Sequence, residues 1–126
     1  MSGTTLIPAR VKKLFNECYN TSSEPVLKNL CEEQVKQLSA DDLNDFYLLL
    51  EEKTLSNPED RKCFHIYYYC IMSDVELSYL KLLEILSRID RKKLPFSLGN
   101  KFKDIHAKFS ADTKLMTLLE ENEQIM

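Results

Sequence analysis

Apolar residues in this chain recur at intervals of three and four, the spacing that stacks side chains on one face of an α-helix. Ile7, Val11, Leu14, Phe15 and Cys18 trace the first such face and predict a helix from about Pro8 to Tyr19. Asn20-Thr-Ser-Ser23 interrupts it. Ser23 is placed to cap a second helix, whose first turn tolerates Pro25 because that backbone nitrogen lacks an intrahelical partner anyway. This helix, predicted from about Glu24 to Gln37, carries Leu27, Leu30, Cys31, Val35 and Leu38 in one stripe and leaves Lys28, Glu32, Glu33 and Lys36 outside. Ser39 followed by Asp42 resembles a capping box and opens a third helix, which presents Leu43, Phe46, Tyr47 and Leu50 and ends near Leu55.

Ser56-Asn57-Pro58-Glu59-Asp60 reads as an asparagine cap, a proline at the first helical position and acids in the first turn, so a fourth helix is expected to start there. Its body, from Cys63 to Met72, is apolar nearly all round, which marks a helix enclosed by its neighbours. The same residues suit a buried strand, but a lone strand leaves its backbone groups unpaired, and context favours the helix. Ser73-Asp74-Val75-Glu76 has the form of a capping box and predicts the start of a fifth helix, with Val75, Tyr79, Leu82, Leu83, Leu86 and Ile89 on its apolar face. Arg91-Lys92-Lys93 closes it with cations that complement the helix dipole. After a break at Leu94-Pro95-Phe96-Ser97, Leu98, Phe102, Ile105 and Phe109 predict a sixth helix. Ser110 caps a seventh that carries Leu115, Met116, Leu118 and Leu119.

The expected fold is therefore all-α: about seven short-to-medium helices in a right-handed bundle or a short helical-repeat-like stack. The 126 residues are read as one helical domain, with 1–6 and 120–126 frayed. Composition agrees, since two glycines and four prolines are too few for the turns of an all-β fold. The chain opens with no basic leader and apolar run, and no window is long enough to span a bilayer. An intracellular protein, nuclear or cytoplasmic and not exported, is expected, with no membrane association. Cys18, Cys31, Cys63 and Cys70 each fall on an apolar helix face, which predicts buried free thiols rather than disulfides.

Charge is unevenly distributed. Asp41 to Asp60 carries seven acids against Lys53, whereas Arg88 to Lys114 carries eight basic residues against Asp90, Asp104 and Asp112. Candidate chemistry is sparse. Cys63 and His65 are two residues apart, which points them to different sides of a helix, no Cys-x-x-Cys occurs, and His106 is the only other histidine, so no metal or cofactor is expected. The cysteines lack a cationic, exposed setting, and the glycine-rich loops that cradle phosphates are missing, so no enzyme is read from the residues. Tyr67-Tyr68-Tyr69 spreads over most of a helical circumference, and packing in the core accounts for at least two of the three.

Leu82-Leu-Glu-Ile-Leu-Ser-Arg-Ile-Asp90, Leu94-Pro95, Ser97-Leu-Gly-Asn-Lys-Phe-Lys-Asp-Ile105 and Lys108-Phe-Ser-Ala-Asp112 follow an order that resembles the helical N-terminal domain of transcription elongation factor S-II and its relatives. Residues 82–119 carry the similarity. Leu98-Gly99 stands where that family has an isoleucine-glycine step, while the family's usual tryptophan has no counterpart in a chain without tryptophan. The Ser22 to Leu30 turn-helix and the Pro58 helix resemble parts of domains that bind the phosphorylated tail of RNA polymerase II. The first resemblance implies a scaffold that captures short motifs of transcription or chromatin proteins. It points to Lys92, Leu94, Phe96, Phe102 and Lys103 as partner-binding residues, although Phe102 also has core spacing.

The leading expectation is thus a non-enzymatic protein–protein interaction module, an adaptor, with a protein partner. A basic-faced RNA- or DNA-binding domain is the alternative, resting on Arg88 to Lys114. A regulatory or viral inhibitor with a helical fold, and self-association through the tyrosine-rich helix, are the remaining readings.

Overall fold

The computed structural model describes residues 7–89 and 99–108, with only the backbone described for Asn100, Phe102 and His106. Six α-helices occur among these residues: α1 (Ala9–Asn20), α2 (Glu24–Leu30), α3 (Ala40–Ser56), α4 (Arg61–Met72), α5 (Ser78–Arg88) and α6 (Gly99–Lys108). They contain no strand. The predicted seventh helix, the frayed ends and the break at Leu94 to Ser97 lie outside the described residues.

The first three helices follow their sequence signals closely. Ser23 Oγ accepts the Val26 N–H at 3.4 Å, and Ser39 Oγ accepts the Asp42 N–H at 3.2 Å, so both predicted serine caps act on otherwise unpaired donors. The second helix differs in one respect. Beyond Leu30 it widens into a π-helical turn, Cys31–Val35, in which the Lys36 N–H reaches the Cys31 carbonyl at 3.0 Å.

Two predicted helix starts are corrected. Asn57-Pro58 does not open α4. Asn57 closes α3, its N–H donating to the Lys53 carbonyl at 3.2 Å, and the chain turns through Pro58 and Glu59. Thr54 is fully buried and donates to the Leu50 carbonyl at 2.6 Å, which holds the last turn of α3 against the core. The cap of α4 is Asp60, whose Oδ1 accepts the Lys62 N–H at 3.0 Å.

Nor does Ser73-Asp74-Val75-Glu76 cap α5. The Asp74 N–H bonds to the Ile71 carbonyl at 3.1 Å and the Val75 N–H to the Cys70 carbonyl at 2.9 Å, with Asp74 at φ 59°. This is a Schellman closure of α4, with Asp74 at the left-handed position where glycine is usual. Val75, the apolar residue that follows, is buried. Closing the core helix and burying Val75 outweighs a local capping box. The chain then passes through Leu77, at φ 68°, before α5 begins at Ser78, whose hydroxyl donates to the Val75 carbonyl at 2.6 Å.

The helices pack as a bundle around α4, which touches each of the other five. That is what a helix apolar nearly all round requires: Cys63, Phe64, Ile66, Tyr67, Cys70 and Ile71 are all buried. Phe46 of α3 is fully enclosed, edge-on to Phe15 with ring centroids 5.8 Å apart. Full burial of such a side chain contributes roughly 1.5–3 kcal/mol. The buried apolar residues form one continuous cluster, to which α6 adds Ile105.

Candidate functional site

A groove of about 390 Å³ runs between α1 and α3. Its walls follow from helical spacing, since Lys12, Phe15 and Asn16 stand at i, i+3 and i+4 on α1, and Leu49, Glu52, Lys53 and Ser56 stand at i, i+3, i+4 and i+7 on α3. Phe15, mostly buried, and Leu49, half-buried, make an apolar floor, and the lysines, Asn16, Glu52 and Ser56 form an exposed rim. A shallower concavity continues over the outer face of α1, past Lys13 and Glu17.

Both ends of the groove are held. At the start of α1, Arg10 makes a forked pair with Asp42, Nε to Oδ2 and Nη2 to Oδ1, each at 2.9 Å, and this bond raises the guanidinium pKa. At the other end, Tyr19 stacks on Phe15 with centroids 6.1 Å apart and donates its hydroxyl to Asp60. That hydrogen bond, with burial, pushes the Tyr19 phenol up to about 12. Lys53 Nζ lies 4.7 Å and Lys62 Nζ 5.3 Å from the centroid of the same ring. The region therefore carries Lys12, Lys13, Lys53 and Lys62 against Glu17, Glu52 and Asp60, on a chain whose formal charge is −3.

A second polar cluster joins α2, α4 and α6. Glu24 Oε1 accepts from Lys101 Nζ and from the Tyr69 hydroxyl, both at 2.7 Å, and the Tyr68 hydroxyl donates to Asp104 at 2.7 Å. Its groups satisfy one another, so it works as a tether. The tyrosine triplet accordingly divides, with Tyr67 enclosed in the core and Tyr68 and Tyr69 half-buried.

The four cysteines are free and buried. Cys31 Sγ lies 3.7 Å from Cys70 Sγ. The Cys18 thiol is pushed up by its hydrogen bond to Cys31 and by burial, and burial raises Cys63 to about 11. Thiols held protonated in an apolar core are poor nucleophiles. Among the described residues no group of three or more His, Cys, Asp or Glu side chains is placed to hold a metal, and no helix is long and apolar enough to cross a membrane.

Of the residues singled out by resemblance, Lys92, Leu94 and Phe96 lie outside the described residues, as does the Phe102 side chain. Lys103 is exposed on α6, and the structure does not bring it to the α1–α3 groove. Within the basic stretch, Arg88 pairs with Glu51, Lys101 with Glu24 at 2.7 Å, and Lys108 with Asp74 at 2.9 Å. The groove itself escaped the sequence reading. One signal for it was present in Leu48-Leu49-Leu50, where only Leu50 belongs to the core stripe, leaving Leu49 for the groove floor and Leu48 46% exposed. No protein-family model, curated protein or solved structure matches this chain.

Proposed function

We propose that this chain is a non-enzymatic protein-interaction module that receives a short segment of a partner protein in the groove between α1 and α3. One observation carries the reading: half-buried Leu49, beside the buried Phe15, gives the concavity an apolar floor between two helices that pack through Phe15 and Phe46. A preformed concavity with apolar contacts inside and polar groups at its edge suits recognition of a peptide, because little has to be ordered when the partner arrives. The resemblance in residues 82–119 directs the first search to transcription and chromatin proteins. Pairing of Arg88, Lys101 and Lys108 with acids of the same chain weighs against a nucleic-acid surface there.

The test is site-specific photocrosslinking. A photoreactive amino acid at Asn16, on the groove rim, is expected to yield discrete protein adducts in cell extract, whereas the same group at Glu33, exposed on the π-helical turn, yields none of them. Introducing Leu49→Asp should abolish the Asn16 adducts. Adducts that persist with Leu49→Asp, or that are identical from both positions, overturn the assignment.

A further inference from the structure

We infer that the segment received by the groove is acidic as well as apolar, a stretch in which aspartate or glutamate alternates with leucine, isoleucine or phenylalanine. This inference rests on the docking reading and adds the chemistry of the partner. Arg10 is paired with Asp42, whereas Asp60 accepts the Tyr19 hydroxyl, a neutral donor that cancels no charge. Lys12, Lys13, Lys53 and Lys62 take part in no ion pair among the described residues. With Lys12, Lys13, Lys53 and Lys62 against Glu17, Glu52 and Asp60, the groove region holds a small local excess of positive charge on a chain of formal charge −3, which favours an acidic partner there.

Position matters as much as sign. Lys53 is held over the Tyr19 ring at 4.7 Å and Lys62 over the same ring at 5.3 Å, so two ammonium groups are placed before a ligand arrives and lose less freedom on binding. Lys12 faces Lys53 across the Phe15–Leu49 floor. An apolar side chain seated on that floor has a cation on either side of it for neighbouring carboxylates. Glu52 stands on the same rim and penalises a uniform polyanion, which disfavours a nucleic-acid backbone. No ring is free for a base to stack upon, since Phe15 is only 6% exposed and Tyr19 is already covered by Phe15 and the two lysines.

The experiment selects a phage-displayed library of random dodecapeptides on the full chain, in parallel with Leu49→Asp and with Asn16→Trp. The second variant fills the groove from an exposed position, so misfolding of the first does not decide the result. Binders lost in both variants are groove-dependent. They are expected to be enriched in Asp and Glu beside aliphatic or phenylalanine residues, and Lys12→Glu combined with Lys53→Glu should weaken a representative peptide by about tenfold or more. Their affinity should fall as salt is raised from about 50 to about 300 mM, as screening of exposed charge requires. Groove-dependent binders without acidic enrichment overturn this inference and leave the docking reading standing. Selection that yields no groove-dependent binder overturns both. Displacement of the acidic peptides by single-stranded oligothymidylate at equal charge concentration would reassign the groove to nucleic acid.

Discussion

Glu24 and Lys101 stand 77 positions apart in the chain and meet at 2.7 Å, where the first turn of α2 receives the first turns of α6. The Lys101 ammonium also lies 5.0 Å from the Tyr68 ring centroid and 5.7 Å from that of Tyr69. Apart from Ile105, the described contacts that hold α6 to the bundle are of this polar kind.

Replacing Lys101 by methionine, which keeps the stem and removes the charge, is expected to lower stability at neutral pH by about 0.5–1 kcal/mol, the modest value of a pair open to solvent. The hydrogen bond from Lys101, followed by that from Tyr69, holds the Glu24 carboxyl below its ordinary 4.5. A depressed carboxyl contributes stability that is present above the ordinary value and lost as pH falls through the folded one. Urea unfolding should therefore show the gap between wild type and Lys101→Met at pH 7 and its closure as pH is taken below 4.5. A gap that does not narrow would argue that the lysine acts only through packing.

His65, half-buried on α4, is held below its ordinary 6.5, by burial first and by the Lys101 charge second. The folded chain therefore resists protonating it, and this part of the stability is present above pH 6.5 and lost below it. Thermal melts from pH 8 downward should show a decline beginning near 6.5 that His65→Gln removes and Lys101→Met makes shallower. Equal pH profiles for wild type and His65→Gln would remove His65 from the account.

Leu77 occupies the left-handed region at φ 68° with its side chain 42% exposed. An L-residue with a β-carbon meets a cost of roughly 1–2 kcal/mol there, and little burial offsets it. Leu77→Gly is expected to raise stability by up to about 1 kcal/mol, the gain being limited by glycine's own entropy, whereas Leu77→Val lowers it. The Tyr47 hydroxyl pins the same turn by donating to the Glu76 carbonyl at 2.8 Å, and Tyr47→Phe should cost about 1 kcal/mol. Guanidinium titrations of the three variants test both points. Stabilisation by valine at position 77 would contradict the left-handed geometry.

Cys18, Cys31, Cys63 and Cys70 should resist a thiol-specific chromogenic disulfide at pH 8 in the folded protein and all react once it is unfolded in guanidinium. All four are buried, and the pKa values of Cys18, Cys31 and Cys63 are raised, which leaves almost no accessible thiolate at those three. Fast labelling of any one of them in the native state would show that its helix face opens.

Much of the bundle was legible from the chain. The apolar faces of α1, α2 and α3 and the serine caps at Ser23 and Ser39 depend on residues within a turn or two of one another, so spacing alone reveals them. Asn57 and Ser73 show where that reading failed. Each begins a valid helix-start pattern, yet each falls just after the last residue of the preceding helix. The local patterns were real, but two uses of one segment competed, and the energy of closing a buried helix decided between them.

Apart from the spare Leu49, the groove depends on neighbours in space. Helical periodicity reports the direction a side chain takes from its own axis, and it put Phe15 and Leu50 inward and Lys28, Glu32, Glu33 and Lys36 outward, as the structure has them. Whether Lys12 and Lys53 then face each other depends on which helix lies beside which, and at what crossing. That is settled by the fit of α1, α3 and α4 around Phe46, a many-residue packing that no single stretch of sequence contains. The sequence by itself determined the helices and their inward faces, because those arise from neighbours along the chain. Only the tertiary structure decided the contested ends and the lysine-rimmed groove, because those arise from neighbours in space.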